Sequence, residues 1–142
     1  MLALRYMYPC IEMRKKWDLV SRKDAREVSG LLYGRKDICH ELLNRCFSNA
    51  VLAFGEFAGI DPLGKDPWLV EQVRIFWREH KGRSPSCDVK QGVVEIVKGN
   101  VVRVHVGTKI AHIINRYSLP VKLGDIVFFH HHIIAEVEES SL

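Results

Sequence analysis

The first half of the chain has a helical hydrophobic period. Over residues 37–59, apolar residues recur in pairs three or four positions apart, which places one apolar stripe along a helix. Shorter patterns of the same kind predict helices over residues 21–33 and 66–82. Residues 1–20 show no pattern that assigns an element. We therefore predict that the chain begins with a helical domain.

Polar residues that suit helix ends support these assignments. Asp37 and Gly59 flank the longest helix as N-cap and C-terminal glycine. Ser21 is the predicted N-cap of the helix over 21–33. Asp66 is the predicted N-cap of the last helix, with Pro67 at its first helical position. The caps thus predict where each helix begins or ends.

After residues 82–86 the hydrophobic period becomes two, which is typical of strands. Five β-branched runs joined by short turns follow. They cover residues 92–97, 101–106, 109–115, 125–130 and 133–137. So many short strands in so few residues predict a barrel, because closure removes the exposed edges of a flat sheet.

The fold class predicted from these patterns is α+β. We expect a helical domain over residues 1–83 and a small five-stranded OB-like β-barrel over residues 84–142. Val102 and Val104 alternate with Arg103 and His105, and this predicts an apolar lining on one side of the second strand.

Charge and composition narrow the classes of function. The chain has 142 residues with 21 Lys and Arg against 17 Asp and Glu, a net charge of +4. Residues 84–142 hold six basic and six acidic side chains, so the excess lies in the helical half. A neutral barrel half argues against nucleic acid as a partner. No apolar run approaches the roughly 20 residues of a membrane helix, and we expect a soluble, cytoplasmic protein without membrane contact.

Two short strings in the barrel half carry the chemistry. Cys87 opens the string Cys-Asp-Val-Lys-Gln-Gly-Val-Val, and His130 ends the string Gly-Asp-Ile-Val-Phe-Phe-His. Together they resemble the HypC/HupF family of hydrogenase assembly chaperones, small barrels with Cys-x-x-x-Pro-Gly-x-Val at the start and Val-Gly-Asp-x-Val-x-x-His later. Gln91 stands where the family has proline.

The resemblance implies a function and a site. In that family the cysteine, with the histidine nearby, holds an iron atom that carries cyanide and carbonyl ligands. The iron complex passes from a maturation scaffold to the precursor of the large subunit of a nickel-iron hydrogenase. Cys87 would be the thiolate ligand here and His130 its neighbour. A soft thiolate suits iron of this kind, and an imidazole can ligate it or lower the pKa of the thiol.

Three consecutive histidines, His130 to His132, offer a second route to a metal site. Strand alternation places His130 and His132 on one side, where two imidazoles can bind a metal. A third ligand would then come from Cys87, His105 or His112. A solvent-facing histidine patch without metal remains the alternative.

We find no catalytic motif of the common hydrolase, phosphate-binding, zinc-protease or dinucleotide-binding kinds, and we expect an accessory protein rather than an enzyme. The leading hypothesis is a maturation factor that docks on a protein partner, using Trp68 or Trp77 if either is exposed, and handles iron through Cys87 and His130. The alternative is an OB-like module without metal that binds a small ligand or single-stranded nucleic acid.

Overall fold

The computed structural model describes residues 2–64, 67–79 and 88–138, except for the side chains of residues 12 and 13. The chain divides into two compact units, Met1–Trp77 and Arg78–Leu142. Helices come first and strands follow, which confirms the α+β class and the helical start. The predicted boundary at residues 82–86 lies outside the described residues. Within the described ranges, no helix is both long enough and apolar enough to cross a bilayer.

The helical unit contains α-helices of 6 to 19 residues and one short 3-10 turn. Its described elements are α1 (Leu2–Met7), the 3-10 turn (Tyr8–Cys10), α2 (Ile11–Lys16), α3 (Arg22–Tyr33), α4 (His40–Ala58) and α5 (Val70–Arg78). Residues 2–16 thus form two short α-helices and a 3-10 turn, which are too short to show a clear hydrophobic period. The division of the chain assigns Arg78, the last residue of α5, to the second unit.

The predicted helix ends are confirmed in two places and differ in two others. The Ser21 hydroxyl accepts a 3.0 Å hydrogen bond from the Asp24 amide, and Gly59 ends α4 in the left-handed region. The N-cap of α4 is Cys39, not the predicted Asp37. Pro67 precedes the first turn of α5 instead of opening it, and Asp66 lies outside the described residues.

A cluster of aromatic rings forms the core of the helical unit. The ring of Phe54 lies 4.4 Å from that of Trp68 and 5.6 Å from that of Trp77, measured between centroids. Trp77 also stacks on Tyr6 from α1. Both tryptophans are buried, so neither provides the exposed docking surface that we considered for them. Their large apolar surfaces stabilise the packing of α1, α4 and α5 instead.

The cysteines of the helical unit differ in environment. The sequence predicts that Cys39 and Cys46 are both buried on the apolar stripe of α4. Cys46 is fully buried, and burial raises the pKa of its thiol to about 11. Cys39 is exposed at the N-cap, so the prediction is wrong there. The backbone becomes helical only after Cys39, so the helical period does not determine where its side chain lies.

The second unit contains the predicted strands in one mixed sheet that closes on itself. The strands are β1 (Lys90–Lys98), β2 (Val101–Val106), β3 (Lys109–Ile114), β4 (Ile126–His130) and β5 (Ile133–Glu138). Their order is β1-β2-β3-β5-β4, and β4 pairs back with β1. β3 and β5 are parallel, whereas the other pairs are antiparallel.

The inside of the closed sheet is apolar, as alternation along β2 predicts. Val102 and Val104 are fully buried, whereas Val101 and His105 on the same strand are exposed. The core of this unit comprises Val94, Val102, Val104, Ile113, Val127, Phe129 and Ile134. Burial of these side chains holds the five strands together.

Candidate metal site at the turn between strands β4 and β5

The Gly124-Asp125 turn anchors the start of β4 to β1. The Gly124 amide donates to the Val94 carbonyl, and the Val94 amide donates to the Asp125 carbonyl, each at 2.9 Å. The Asp125 carboxylate, 1% exposed, accepts a 2.9 Å hydrogen bond from the Lys122 amide and so closes the turn. Gly124 has a φ of 86°, a left-handed conformation that favours glycine. This part of the second string is therefore structural.

The pairing of β1 with β4 places the start of β1 beside the end of β4. The strands run antiparallel, and Lys90 at the start of β1 lies opposite Phe129, the residue before His130. The chain that leads into β1 thus enters the sheet next to the end of β4. Cys87 is three residues before Lys90 and lies outside the described residues.

The glycine of the first string has a packing role. A Cβ atom at Gly92 would lie 3.0 Å from Cγ2 of Val104 and 3.2 Å from the carbonyl oxygen of His105 on β2. A side chain would therefore push β1 away from β2. Gly92 keeps the opening strand close to its neighbour and in register with β4.

His131 and His132 form a two-residue turn between β4 and β5. His130 pairs with Ile133 across the turn, and the two loop residues have φ values of 51° and 63°. Positive φ at both positions is the geometry that Asn-Gly or Asp-Gly favours in a type I′ turn. The turns from β1 to β2 and from β2 to β3 contain Gly99 and Gly107 in the left-handed region. Two histidines therefore occupy a turn whose backbone conformation is less strained for glycine.

The turn changes the arrangement predicted for the histidines. Strand alternation predicted that His130 and His132 face the same side. Instead, His130 is 3% exposed at the end of β4, while His132 is exposed in the turn. The alternation fails because the strand ends at His130 and the backbone becomes left-handed at the next residue. The spacing of two residues between β4 and β5 is the sequence signal that would have indicated this turn.

The neighbouring imidazoles that the structure brings together are those of His130 and His131. Their ring centroids are 4.3 Å apart and their planes are tilted by 36°. Burial, with a smaller contribution from His132, holds the pKa of His131 below its usual value. A lowered pKa favours the neutral imidazole, which is the form that binds metal ions. Sequence reasoning assigned His131 to the opposite side and so missed it as a ligand.

The other histidines considered as third ligands, His105 and His112, lie on β2 and β3. His105 on β2 has its Nε2 3.2 Å from a carboxylate oxygen of Glu95. Arg103 donates to the same carboxylate at 2.9 Å, and together these partners hold the pKa of Glu95 below its usual range. His112 is exposed on β3, opposite Arg103. His105 thus belongs to an ion-paired cluster on the outside of the sheet.

One further contact shapes the outside of β4 and β5. The guanidinium of Arg78 lies 3.8 Å from the centroid of the Phe128 ring and donates to the Glu136 carboxylate at 2.9 Å. Phe128 and Glu136 are opposite each other in the register, and both are buried. An arginine can stack on a ring and pair with a carboxylate at once, so this contact stabilises the two strands that carry the turn.

Comparison with known proteins adds no relative. No protein-family model matches the chain, and searches of curated proteins and of solved structures found no match. The function must therefore be argued from the site.

Proposed function

We propose that this chain is a non-enzymatic accessory protein that handles a metal complex at the turn between β4 and β5. The observation that carries the proposal is the pairing of Lys90 with Phe129, which aligns the chain leading into β1 with the strand end that bears His130. The strained histidine turn next to it supports the proposal, because unfavourable backbone conformations are concentrated at functional sites.

The proposal includes a finer description of the second unit as an OB-like barrel. The order β1-β2-β3-β5-β4, the closing pair of β4 with β1 and the parallel contact of β3 with β5 support it. The resemblance to the HypC/HupF family points in the same direction. In that family a small barrel presents a cysteine and a histidine to an iron complex.

The ligands in this proposal have distinct accessibility. His130 is almost fully enclosed and His131 is half-buried, so an incoming complex meets the imidazole of His131 before that of His130. His130 then serves as the inner ligand, and the exposed His132 lies at the rim. Sulfur and imidazole donors suit iron and other transition metals better than magnesium or calcium.

The cargo that we propose is the iron complex with cyanide and carbonyl ligands. The protein partner is then a maturation scaffold or the precursor of the large subunit of a nickel-iron hydrogenase. The protein holds the complex only in transit, so its thiolate and imidazoles need to bind it and to release it to the next protein.

The first experiment measures metal binding by the full-length chain with Co²⁺ as a spectroscopic probe under anaerobic conditions. Thiolate ligation produces sulfur-to-cobalt charge-transfer absorption. We expect Cys87→Ala to abolish this absorption and to weaken Co²⁺ binding by at least about 100-fold, more than loss of an outer-shell contact costs. His112→Ala, which removes an exposed imidazole elsewhere on the sheet, is the matched control. Wild-type Co²⁺ binding by the folded Cys87→Ala variant would refute the site.

The second experiment tests the partner separately. The full-length protein is mixed with a purified large-subunit precursor of a nickel-iron hydrogenase, and complex formation is followed by size-exclusion chromatography. We expect a complex with the wild-type protein and its loss with Cys87→Ala. Co²⁺ binding without any complex would leave the metal site in place and reject the hydrogenase partner.

The structure argues against the nucleic-acid alternative. Single-stranded nucleic acid binds to exposed aromatic rings on which the bases stack. Tyr117, Phe128 and Phe129, the aromatic residues of residues 84–142, are all buried. Salt-sensitive retention on single-stranded DNA that is unchanged in Cys87→Ala would nevertheless favour that alternative over metal handling.

A further inference from the structure

The helical unit contains a pocket of about 480 Å³ between α2 and α3. Its volume lies in the range of about 300–1,000 Å³ that is typical of sites for small molecules. The 3-10 turn and α2 form one wall of the pocket, and the first two turns of α3 form the other.

Positive charge dominates the lining. Lys15 comes from the last turn of α2, and Arg22 and Arg26 lie one turn apart on α3. Among the residues whose side chains are described, no acidic side chain lines the pocket. Three cations around one cavity attract an anion, because their potentials add in the space between them.

The arginines are placed where helix energetics disfavour them. Like charges four residues apart on a helix repel each other, and a cation in the first turn opposes the helix dipole. The nearby carboxylate of Asp24 is paired with Arg45 at 3.3 Å, and the Asp24 amide donates to the N-cap hydroxyl of Ser21. An anionic ligand between Arg22 and Arg26 would remove this repulsion.

The floor of the pocket, by which we mean its buried lining residues, is apolar. Ile11 and Ala25 are 3% and 7% exposed, and the buried ring of Tyr8 is held edge-on against Tyr33, with the centroids 6.2 Å apart. Tyr8 and Ser29 also line the pocket. The pocket therefore combines a cationic rim with a surface that suits an apolar or planar group.

We propose that this pocket binds a small phosphate ester. Arg22 and Arg26, with Lys15, hold the phosphoryl group, and the organic part packs on Tyr8, Ile11 and Ala25. A phosphate monoester carries nearly two negative charges at neutral pH, which suits several cations better than a single carboxylate does. The planar guanidinium donates two parallel hydrogen bonds to phosphate oxygens.

The experiment is calorimetric titration of the full-length chain with phenyl phosphate, inorganic phosphate and phenol. We expect phenyl phosphate to bind about tenfold more tightly than inorganic phosphate, because the ring contacts the apolar floor, and phenol to bind weakly. The double variant Arg22→Gln, Arg26→Gln should weaken phenyl phosphate binding by about 30-fold, through loss of two charge-assisted contacts.

The matched control is the double variant Lys23→Gln, Arg35→Gln. It removes the same charge from exposed positions of this unit that do not line the pocket, and we expect less than about a twofold change. Equal weakening in both double variants would reduce the effect to net charge and overturn the proposal. So would undetectable binding of phenyl phosphate to the folded wild-type protein.

Two further measurements separate the ester from other sources of phosphate. Ser29→Leu narrows the pocket without changing its charge, and it should weaken phenyl phosphate binding more than inorganic phosphate binding. An oligothymidylate that binds more tightly than phenyl phosphate, and loses equal affinity in both double variants, would indicate a nucleic-acid surface and overturn the small-ester proposal.

Discussion

Replacing His132 with glycine should make the protein more stable, although it removes a side chain from the proposed site. His132 has a φ of 63° in the two-residue turn between β4 and β5. Its carbonyl oxygen accepts a 2.8 Å hydrogen bond from the Ile114 amide, and this contact belongs to the backbone and survives the substitution. The change therefore tests the backbone conformation of the turn by itself.

The expected gain is about 0.5 kcal/mol, the cost of the left-handed backbone less the entropic cost of glycine. A left-handed conformation costs roughly 1–2 kcal/mol for a residue with a Cβ atom, and histidine is at the low end because it tolerates this region better than most residues do. Glycine avoids the cost but loses more conformational freedom on folding, which offsets about half a kcal/mol or more. His132 is exposed, so little packing is lost.

The assay is native-state amide hydrogen exchange of the full-length protein in the presence of a metal chelator. It reports on the second unit directly, whereas the three tryptophans lie in the helical unit. Slowly exchanging amides such as that of Val94 should exchange about twofold more slowly in His132→Gly. Gly107→Ala is the reverse control, in which a glycine with positive φ is replaced. Gly107 has a φ of 62° and open space around it, so alanine there should cost about 1 kcal/mol.

Unchanged or faster exchange in His132→Gly, with Gly107→Ala destabilising as expected, would refute the reasoning. The His132 side chain would then stabilise the turn by more than the left-handed backbone costs. The argument that stability is given up at this turn in favour of function would also fail.

Three other perturbations have defined outcomes. Arg78→Met should destabilise the second unit by about 2 kcal/mol in hydrogen exchange, because the buried Glu136 carboxylate loses its 2.9 Å ion pair. Gly55→Ala should lower thermal stability by about 1–3 kcal/mol, since a Cβ atom there would lie 2.8 Å from a proline ring carbon. The pKa of Glu95 is lowered in the folded protein, so its stabilising contribution is present above its unfolded pKa and is lost as the pH falls through its folded pKa. Arg103→Gln should raise the folded pKa of Glu95 in an NMR titration.

Matched controls accompany these predictions. Arg74→Met removes an exposed helix pair with Glu71 and should change stability by less than about 0.5 kcal/mol. Gly30→Ala should stabilise α3 by about 0.5–1 kcal/mol, because a Cβ atom there meets nothing within 4 Å. Equal losses of stability in Arg78→Met and Arg74→Met would contradict the argument for the buried ion pair. An unchanged stability of Gly55→Ala would contradict the packing argument, and an unchanged Glu95 pKa in Arg103→Gln would contradict the electrostatic one.

Local interactions explain what could be predicted from the sequence. The hydrophobic period separates helices from strands because side chains repeat every 3.6 residues on a helix and every two on a strand. The Ser21 cap and the end of α4 at Gly59 depend on neighbouring residues, and both predictions are confirmed. The strands predicted over residues 92–137 are also observed, since two-residue turns separate all of them except β3 and β4.

Only the tertiary structure decided the arrangement of the candidate site. The pairing of β1 with β4 joins segments about 40 residues apart, and no local pattern encodes that register. The burial of His130, the exposure of His132 and the contact between the rings of His130 and His131 follow from where β4 ends and how the chain turns. Likewise, the cationic pocket exists because α2 and α3 pack side by side, which brings together charges that the sequence assigns only to the helical half.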